Sequence, residues 1–408
     1  KYLPTLSELV DRLSITQLKE VFISEHKEEY AEEISDILHD IDLCLQETKH
    51  IDAEVVRAIV VLSQMNLHIW HNESNYRKGI KDGNNLELTH GLNGIRNTAK
   101  NKIQEIGGAG YIGSELTDVL LKDGHEVVAY DNLMYDATSL LRYTTNDNFD
   151  FVKADVRDLH TLKSYASKSD IIIPLAALVG FPLCDQDPRA AKEINFEVNE
   201  WLAKNKSKDQ RIIYPCTNSG YGTGDGAVCT EESPLNPISL YGRTKVDAET
   251  AIREVENHLT FRLATVFGPS SRMRTDLLVN NFVLKALRDR VLVLYECEFM
   301  RNYVHIQDVC DAFKFVIDNW DSCKNETYNI GNDAINMNKM QLAQTIQNHM
   351  PLEIIKAEFT SDPDVRDYEV SSQKAYDKGI TCNRDLDLGI SQLIKSYKII
   401  ESPWFANY

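Results

Sequence analysis

The spacing of apolar residues divides this sequence into two parts. Over residues 1–100, apolar positions recur at three- and four-residue steps, the period of amphipathic helices. The pattern predicts helices that begin near Leu6, extend from about Glu28 to Gln46, and continue over about 52–70 and 86–102. The segment over 52–70 is apolar on most faces, so we expect it to form the core of a small all-α domain.

From about residue 107 onward, short apolar runs alternate with amphipathic helical patterns. The runs are EVVAY (126–130), FDFVKAD (149–155), DIIIPLAA (170–177), RIIYPC (211–216) and LTFRLATVFG (259–268). Alternation of this kind predicts parallel strands with helices on both faces of the sheet. The sequence therefore predicts an α/β domain after the all-α domain.

Length and composition fit this two-part organisation. The chain has 408 residues, and at about 150 residues per domain this corresponds to two or three domains. No apolar run approaches the length of a membrane-spanning helix, so we predict no membrane span. The 62 acidic residues outnumber the 44 basic ones, and the resulting net charge of −18 disfavours binding to nucleic acid.

The cysteines and the first residues bear on the cellular compartment. No two of the eight cysteines are spaced as CxxC, which disfavours a zinc ribbon or a thioredoxin-like redox pair. The opening KYLPTLSELVDR lacks the apolar stretch of a signal peptide. We therefore expect a cytoplasmic protein with reduced thiols.

A glycine-rich turn opens the α/β part. Gly107, Gly110 and Gly113 lead into a helical pattern, and Tyr111 and Ile112 lie between the last two glycines. Glycines at this spacing permit a tight turn and let backbone amides approach a pyrophosphate at the helix N-terminus. The motif predicts that these five residues bind a dinucleotide.

The ends of the next two predicted strands carry acidic residues. Asp131 follows Gly113 by 18 residues, at a position where a carboxylate can bind both ribose hydroxyls and repel a 2′-phosphate. The cofactor is therefore predicted to be NAD rather than NADP, with Asn132 beside it. Asp155 and Val156 follow the next strand, where they are expected to hold the adenine.

A tyrosine–lysine pair follows the fourth predicted strand. Tyr241 and Lys245 are four residues apart and are predicted to share one face of a helix. A tyrosine with its ordinary pKa of about 10 is a poor base at neutral pH, but a neighbouring ammonium group stabilises the phenolate. Thr217 ends the fourth strand, where its hydroxyl could bind the reacting oxygen. We therefore predict that Tyr241 takes a proton from a sugar hydroxyl as hydride passes to NAD, with Lys245 and Thr217 assisting.

These motifs resemble the NAD-dependent epimerase/dehydratase family, the extended short-chain dehydrogenases that act on nucleotide sugars. The resemblance extends over about residues 106–400. It implies a Rossmann-type doubly wound parallel sheet with a small C-terminal substrate lobe, mainly at 267–300 and 325–400. In that family the tyrosine is the general base and the lysine also holds the nicotinamide ribose. The motifs are GGAGYIG (107–113), TEESPLNPISLYGRTK (230–245), RLATVFGP (262–269), RNYVHIQDV (301–309) and YNIGN (328–332).

The resemblance also implies further binding residues. Some would contact the cofactor, and others would lie against the nucleotide diphosphate of the substrate. They are Ala176, Ala177 and Asn195 for the cofactor, and Arg301, Arg366 and Asn280 or Asn281 for the substrate.

The two residues after Thr217 distinguish activities within the family. The 4,6-dehydratases carry an acidic pair there, which removes water across carbons 5 and 6 of the sugar. Asn218 and Ser219 cannot do this acid–base work, so a dehydratase is disfavoured, and Ser219 is predicted to contact the substrate. Oxidation at carbon 4 remains, which either stops at the ketone or returns the hydride to the other face.

Longer segments resemble a branch of the family from bacterial capsule pathways, which oxidises carbon 4 of a GDP-linked heptose. The segments are PLAALVGFPLCDQDP, IYPCTNSGYG, FRLATVFGPSSRMRTDLLVNNF and DPDVRDYEVS. This resemblance implies tightly held NAD, a 4-keto product and a role in surface-polysaccharide precursor synthesis, with a GDP-sugar favoured as substrate. Arg272 and Arg274 lie in the third segment and are candidate ligands for phosphate or sugar, solvent-facing positions being the alternative.

Other candidate residues carry less weight. Cys184 lies in a loop where the substrate is expected, and some relatives use a cysteine beside a ketone, but a small packing residue is the favoured interpretation. His305 is interpreted as a structural residue at a strand end. We predict no metal site, because the N-terminal candidates are more simply polar residues on helix faces. These candidates are His68, His71, His90 and Glu73.

The sequence supports two hypotheses. The first is a helical domain of unknown function over residues 1–100, followed over 101–400 by an NAD-binding enzyme that oxidises carbon 4 of a nucleotide-activated sugar and forms a homodimer. The second is a catalytically weak binding or scaffold module whose helical domain recruits a partner. It is motivated by the polar segment 101–106, where an apolar first strand is expected. Either this polar segment forms a weak first strand that the fold tolerates, or the junction with the helical domain has replaced a more apolar strand.

Overall fold

The structure is a computed structural model of the chain. It describes residues 6–23, 26–47, 109–135, 138–223, 226–357 and 366–400, with a few positions between 56 and 67. The chain divides into two compact units, Lys1–Gly107 with Met134–Asp136 and Tyr408, and Gly108–Leu133 with Ala137–Asn407. Several predictions lie wholly or largely outside the described residues, namely the helices at 52–70 and 86–102, the strand at 101–106, Gly107, and His68, His71, His90 and Glu73.

The described part of the first unit contains two long helices, α1 (Leu6–Phe22) and α2 (Lys27–Glu47). They pack against each other through apolar positions, among which Leu9 and Ile37 are buried. An ion pair between Arg12 and Glu33, 2.8 Å long, joins them at the surface. The helix predicted over 28–46 is therefore confirmed.

The second unit is built on parallel strands. β1 (Val127–Asp131) pairs with β2 (Phe149–Lys153). A four-stranded parallel sheet has the order β3-β4-β5-β9. Its strands are β3 (Ile171–Ile172), β4 (Arg211–Thr217), β5 (His258–Leu263) and β9 (Glu326–Ile330). These strands confirm the parallel α/β organisation predicted from the apolar runs.

Helices cover both faces of this sheet. On β4, Ile213 belongs to the core against one layer of helices, whereas its neighbours Ile212 and Tyr214 belong to the core against the other. This is the alternation of side chains expected along a strand that is buried on both faces. The first layer contains α3 (Tyr111–Lys122), α10 (Ile306–Asp318), α11 (Trp320–Cys323) and α13 (Gln373–Lys378). The second contains α4 (Leu159–Ala166), α7 (Val198–Asn205) and α8 (Leu240–Arg253).

The apolar run over 259–268, predicted as one strand, forms two strands in different sheets. β5 ends at Leu263, and β6 (Thr265–Phe267) pairs in parallel with β8 (Met300–His305). Between them, the Ala264 amide donates to the Ile330 carbonyl at 2.9 Å. β8 also pairs antiparallel with β10 (Asn332–Asn338). The chain therefore passes from the main sheet into the substrate lobe within one buried segment.

The lobe has its own hydrophobic core. Phe267, Phe282, Leu342 and Ile390 are among the residues buried there. Its elements are α9 (Leu278–Asp289), β7 (Val291–Leu294), α12 (Lys339–Gln347), β11 (Glu353–Lys356) and α14 (Leu386–Ile399), with β7 and β11 pairing in parallel. β9 and α13, which fall in the range predicted for the lobe, pack with the main sheet instead.

Shorter elements complete the described chain. These are α5 (Phe181–Gln186), α6 (Pro188–Lys192), a π-helical turn at Glu193–Glu197 and 3-10 turns at Leu141–Tyr143 and Asn218–Tyr221. All eight cysteines lie in the described residues, and no disulfide joins them. None of the helices in the described part of the chain is long and apolar enough to cross a membrane.

Candidate active site

The described part of the glycine turn begins just before α3. Among the described residues, a side-chain carbon added at Gly110 would meet nothing within 4 Å. One added at Gly113 would lie 3.4 Å from Cδ1 of Leu175, so this glycine lets α3 pack closely on the segment after β3. The first amides of a helix have no acceptor within the helix. The start of α3 therefore offers donors next to a glycine that no described residue crowds, as a pyrophosphate requires.

The side chain of Tyr111 is engaged within the protein. Its hydroxyl donates to the Gly268 carbonyl at 2.6 Å and accepts a bond from Nδ2 of Asn280 at 3.4 Å. Burial raises the pKa of Tyr111 far above its usual value. Ile112 packs against the core beneath α3. Because both side chains are engaged within the protein, Tyr111 and Ile112 could make the predicted cofactor contact only through their backbone.

Residues 268–276, here named the lobe loop, are fastened to the first turns of α3. The Ser270 hydroxyl donates to the Tyr111 carbonyl at 2.8 Å. The backbone amide and the hydroxyl of Ser271 both donate to Oε1 of Glu115, at 2.7 and 3.0 Å. The lobe is thereby tied to the predicted cofactor helix.

Asp131 lies at the end of β1, as predicted for an acid that binds ribose. Its Oδ1 accepts the Leu133 amide at 2.8 Å. Burial raises the pKa of Asp131 to about 6, while this hydrogen bond and the charge of Arg272 act in the opposite direction. The raised pKa indicates that this half-buried carboxylate is incompletely compensated by its neighbours, so further donors such as ribose hydroxyls would stabilise it.

Asp155, one of the two residues predicted to hold the adenine, lies beside Asn132, the residue that follows Asp131. Nδ2 of Asn132 is 3.5 Å from Oδ2 of Asp155. Asp155 forms an ion pair with Arg157 at 2.7 Å, and this interaction lowers the pKa of Asp155. Val156 packs against the core under α4 and α7. The structure thus brings Asn132 and Asp155 together, with Arg157 as an additional partner.

Asn195 supports the segment that carries the two predicted cofactor alanines. Its Oδ1 accepts the Leu178 amide at 2.8 Å, and its Nδ2 donates to the Leu178 carbonyl at 2.9 Å. Ala176 is exposed and Ala177 half-buried immediately before that point. The side chain of Asn195 is fully buried, so it holds the chain after Ala177 in place instead of reaching toward a ligand.

Cys184 is packed inside the protein. Its Sγ donates to the Leu178 carbonyl at 3.3 Å, and the side chain is fully buried. Burial raises the pKa of Cys184 to about 12. A thiol with this pKa stays protonated at neutral pH and cannot accept a proton there. This agrees with the packing role favoured from the sequence.

Tyr241 and Lys245 lie in the first two turns of α8. The Ser239 hydroxyl caps this helix by accepting the Gly242 amide at 3.1 Å. Nζ of Lys245 lies 4.2 Å from the ring centroid of Tyr214 on β4. The Tyr214 hydroxyl donates to the Lys245 carbonyl at 3.4 Å, so β4 packs directly beneath the pair.

Burial acts on both members of the pair. It lowers the pKa of Lys245 to about 8, although Cys216 and Glu249 act in the opposite direction. It raises the pKa of Tyr241 to about 12, and the positive charges that oppose this rise are those of Arg274 and Arg366. Proton abstraction by Tyr241 therefore needs added positive charge nearby.

Thr217 belongs to a chain of polar groups at the end of β4. Its Oγ1 accepts the Ser219 amide at 3.2 Å and donates to Oγ of Ser219 at 3.1 Å. Nη1 of Arg366 donates to the same Ser219 oxygen. The structure therefore joins three predicted site residues that are up to 149 positions apart in the sequence.

Asn218 lies between these two hydroxyl residues and is almost completely buried, with 1% of its surface exposed. Neither Oδ1 nor Nδ2 has a hydrogen-bond partner among the described residues. A buried amide of this kind is costly to leave unsatisfied. The Asn218 side chain is also uncharged, so it cannot act as the acid that the dehydratases carry at this position.

The two asparagines predicted to lie near the substrate stand on α9, and their side chains bond to the lobe loop. Asn280 accepts the Gly268 amide at 3.1 Å and donates to the Arg274 carbonyl at 2.9 Å. Asn281 donates to the Thr275 carbonyl at 3.0 Å. Both asparagines thus hold the loop, so contact of their side chains with substrate stays a prediction.

The predicted arginine ligands occupy three different surroundings. Arg274 is ion-paired with Asp276. Arg272 is buried, donates to the Met273 carbonyl at 2.8 Å and lies within electrostatic range of Asp131. Arg301 on β8 and Arg366 both act on the pKa of Tyr303. Arg301 and Arg366 therefore both lie within electrostatic range of Tyr303, whereas Arg272 lies within that range of the predicted cofactor acid.

Sequence analysis missed a buried ion pair behind the catalytic helix. Nη2 of Arg262 lies 2.7 Å from Oε1 of Glu249, and both side chains are almost fully buried. Glu249 continues the four-residue spacing of Tyr241 and Lys245 on α8, which was visible in the sequence. Arg262 stands in the apolar run LTFRLATVFG, where a charge calls for a partner.

His305, interpreted from the sequence as structural, has that role in the described structure. It is buried, accepts the Gln307 amide at 3.2 Å at the start of α10, and lies 2.8 Å from Oε1 of Gln392.

The doubly wound parallel sheet and the Tyr-x-x-x-Lys pair after β4 define a Rossmann-type protein of the short-chain dehydrogenase class. Within that class, the chain belongs to the NAD dependent epimerase/dehydratase family, whose model matches residues 106–331. The match spans more than half of the 408 residues. It confirms the family and fold class predicted from the sequence, and NAD as the cofactor of the family.

Individual relatives agree with this assignment. The chain is 32% identical over 221 residues to a UDP-glucose 4-epimerase of Mycolicibacterium smegmatis, covering 51% of this chain and 70% of the relative. It is 27% identical over 251 residues to the low-salt glycan biosynthesis protein Agl12 of Haloferax volcanii, covering 59% and 79%. A UDP-glucuronic acid 4-epimerase mutant from Bacillus cereus, solved with a UDP-sugar and NAD, has the same fold. Its TM-score is 0.64 at 22% identity, over 71% of this chain and 97% of that one.

Proposed function

We propose that this chain oxidises carbon 4 of a nucleotide-activated sugar with NAD, as a 4-dehydrogenase or a 4-epimerase in the synthesis of surface-polysaccharide precursors. The observation that carries the proposal is the arrangement at the end of β4. Tyr241 and Lys245 stand on α8 above this strand end, Thr217 ends the strand, and neutral Asn218 and Ser219 follow it.

The residues around α3 fit NAD. No described residue crowds the start of α3 at Gly110, and Asp131 is a half-buried acid with a raised pKa. Backbone amides of residues 111–113 would hold the pyrophosphate, and Asp131 would accept the ribose hydroxyls. Bound NAD would supply the hydride acceptor at carbon 4 and a positive nicotinamide ring beside Tyr241.

The chain's own residues would remove the proton of the 4-hydroxyl group. Tyr241, as phenolate, takes the proton of the 4-hydroxyl as the carbon–hydrogen bond breaks, and the oxygen becomes the ketone. Lys245 lies one turn from Tyr241, and its charge favours the phenolate. Thr217 holds the reacting oxygen. Because Asn218 and Ser219 provide no acid, the reaction ends at the ketone or reverses onto the other face, without loss of water.

The choice of sugar nucleotide rests on motif resemblance. The sequence segments named above favour a GDP-sugar, whereas the named substrates of the relatives are UDP-sugars. Arg301 and Arg366 are proposed to bind the diphosphate that both substrate types share. A homodimer and a cytoplasmic location also stay predictions, and light scattering on the purified chain tests the first.

The test combines cofactor analysis with a substrate screen. Mass spectrometry of the cofactor released from purified protein is expected to find NAD, and GDP-, UDP- and dTDP-sugars are then screened for a 4-keto product or a 4-epimer. Tyr241→Phe is expected to abolish turnover, with Tyr376→Phe, a tyrosine outside the site, as control. Stoichiometric NAD without turnover of any sugar would instead favour the binding-module hypothesis.

A further inference from the structure

The ammonium group of Lys245 lies over an aromatic ring in the interior of the protein. Nζ of Lys245 is 4.2 Å from the centroid of the Tyr214 ring, and both side chains are buried. A cation within about 6 Å of a ring centroid is attracted by the negative face of the ring, and the attraction is strongest where water is excluded. Tyr214 therefore gives a favourable contact to a charge that burial alone disfavours.

Strand β4 determines the position of this ring. Tyr214 and Cys216 are two positions apart on the strand, so their side chains lie on the same face. That face packs against α8, and both side chains donate to the Lys245 carbonyl, the Tyr214 hydroxyl at 3.4 Å and Sγ of Cys216 at 3.5 Å. Tyr214 thus contacts Lys245 at its backbone as well as at its ammonium group.

In the part of the chain that the structure describes, no carboxylate forms an ion pair with Lys245. Glu249 is one helical turn away on α8, but both oxygens of its carboxylate accept from Arg262, at 2.7 and 3.2 Å. The buried ion pair therefore keeps the negative charge of Glu249 compensated by Arg262. The contact that the described structure gives the Lys245 ammonium is the Tyr214 ring.

The other titratable groups that act on the pKa of Lys245 are the thiols of Cys184 and Cys216. Burial raises the pKa of Cys184 to about 12 and that of Cys216 well above its usual value, so both thiols are neutral at neutral pH. Burial likewise raises the pKa of Tyr214, so the ring is that of an uncharged phenol. These neighbours consequently add no negative charge beside Lys245.

An aromatic ring stabilises an ammonium group differently from a carboxylate. A carboxylate paired with Lys245 would oppose the effect of the ammonium on Tyr241, because the two opposite charges would act on the phenol together. A ring carries a quadrupole and no net charge. Over the Tyr214 ring, Lys245 can remain protonated in the interior and still favour the Tyr241 phenolate with its full charge.

We propose that Tyr214 is a positioning residue for the oxidation, whose ring keeps the Lys245 ammonium protonated and in place while leaving its charge to act on Tyr241. The proposal rests on the proposed function. Because the Tyr214 side chain is fully buried beneath α8, it acts through Lys245 and not by contact with the substrate.

The pKa of Lys245 tests this contact without turnover. The full chain, saturated with NAD and isotope-labelled at the lysine Cε atoms, is titrated by NMR, and the Lys245 signal is identified by its absence from Lys245→Met. Tyr214→Phe keeps the ring and is expected to leave the pKa unchanged, whereas Tyr214→Leu is expected to lower it by about one unit. Tyr328→Leu, which removes a buried ring of β9 under the Lys374 ammonium, is the matched control. A Tyr214→Phe variant whose pKa falls as far as that of Tyr214→Leu overturns the proposal, because the hydroxyl and not the ring would then be responsible.

A fluorinated series separates the electrostatic effect of the ring from its packing. Phenylalanine and its 4-fluoro and 3,4,5-trifluoro derivatives, placed at position 214, have nearly the same shape, but fluorine progressively weakens the negative face of the ring. The pKa of Lys245 is expected to fall stepwise along the series, by about one unit in total. Equal pKa values in the three proteins overturn the proposal, even where Tyr214→Leu does not fold.

The same shift is expected in the pH dependence of turnover. Since Lys245 must be protonated to favour the phenolate, kcat falls as the pH rises through the pKa of Lys245. This alkaline limit is expected to move about one unit lower in Tyr214→Leu and to return to the wild-type value in Tyr214→Phe. A Tyr214→Leu enzyme with the wild-type alkaline limit overturns the positioning role. If the wild type turns over no sugar, the proposed function fails, and the NMR titration still decides whether the ring stabilises the charge.

Discussion

Glu249 and Arg262 form an ion pair in the interior, with Nη2 of Arg262 2.7 Å from Oε1 of Glu249 and at most 2% of either side chain exposed. Arg262 also donates to the Tyr221 hydroxyl at 3.0 Å and to the Glu231 carbonyl at 3.1 Å. The pair joins α8, which carries Tyr241 and Lys245, to β5 and to the 218–221 turn. It is therefore expected to be important for stability as well as for the site.

Removing one partner of this pair is predicted to be strongly destabilising. Glu249→Leu leaves the guanidinium buried without its carboxylate, which typically costs about 3–5 kcal/mol of unfolding free energy. Urea unfolding measures the change, and Arg189→Gln, which removes an exposed ion pair, should have little effect. The double variant Glu249→Leu/Arg262→Leu is expected to lose less than the single one. A single variant as stable as the wild type would show that the pair is not a buried ionic contact.

Lys245 is predicted to reduce stability in the chain freed of cofactor. Burial lowers its pKa from 10.5 to about 8, and a difference of about 2.5 units corresponds to about 3 kcal/mol. Below pH 8 the folded protein must carry the buried charge, and between pH 8 and 10.5 the unfolded chain binds more protons. The unfolding free energy is therefore expected to rise with pH over this window.

Lys245→Met should consequently abolish turnover and yet raise the unfolding free energy at pH 7 by up to about 3 kcal/mol. The gain should shrink as the pH rises above 8. Denaturant unfolding of the cofactor-free variant at several pH values checks this, with the exposed Lys204→Met as control. A variant that is less stable than wild type at pH 7 contradicts the predicted cost of the buried charge.

Asp131 is predicted to make NAD binding depend on pH. Its pKa of about 6 means that the carboxylate becomes protonated as the pH falls through 6, after which it can no longer accept from both ribose hydroxyls. Asp131→Asn is expected to weaken binding about tenfold, since a hydrogen bond to a charged group is worth about 1.5 kcal/mol or more. The variant should also lose this pH dependence.

Fluorescence titration with NADH between pH 5 and 8 measures the affinity of the cofactor-free protein. Asp170→Asn removes an exposed acid and serves as the control. Wild-type affinity that is constant over this range would remove Asp131 from the ribose site.

Cys184 is predicted to take no part in proton transfer. Since burial raises its pKa to about 12, Cys184→Ser should retain kcat within about threefold, a change of less than 1 kcal/mol in the barrier. Steady-state kinetics with the best substrate of the screen checks this. If the variant kept oxidation but lost epimerisation at least a hundredfold, the thiol would be the epimerising base after all.

Much of the fold follows from local patterns. The apolar runs at 126–130, 149–155 and 211–216 each correspond to one strand, and the last of these strands is buried on both faces, as expected in a parallel sheet. The division of 259–268 into two strands was not predictable from apolarity. Both strands are largely buried, and the division between them is marked by tertiary hydrogen bonding at Ala264.

The sequence predicted which residue types form the site, but it did not predict their hydrogen-bond partners. The sequence pointed to Thr217, Ser219 and Arg366 separately, because each stands in a recognisable motif. Their connection depends on the course of residues 366–372, which no local pattern specifies. In the same way, Asn280 was expected at the substrate, whereas its four hydrogen-bonding contacts tie it to the lobe loop and Tyr111.

The passage from β5 to β6 also limits how this enzyme can be re-engineered. Because the chain enters the lobe through a buried segment around Ala264, no exposed linker exists at this crossing where a lobe from a relative could be grafted without cutting the core. The residues predicted to bind the substrate lie instead on the lobe loop, on β8 and at Arg366. New sugar preferences should therefore arise through point changes at these positions rather than through exchange of whole lobes.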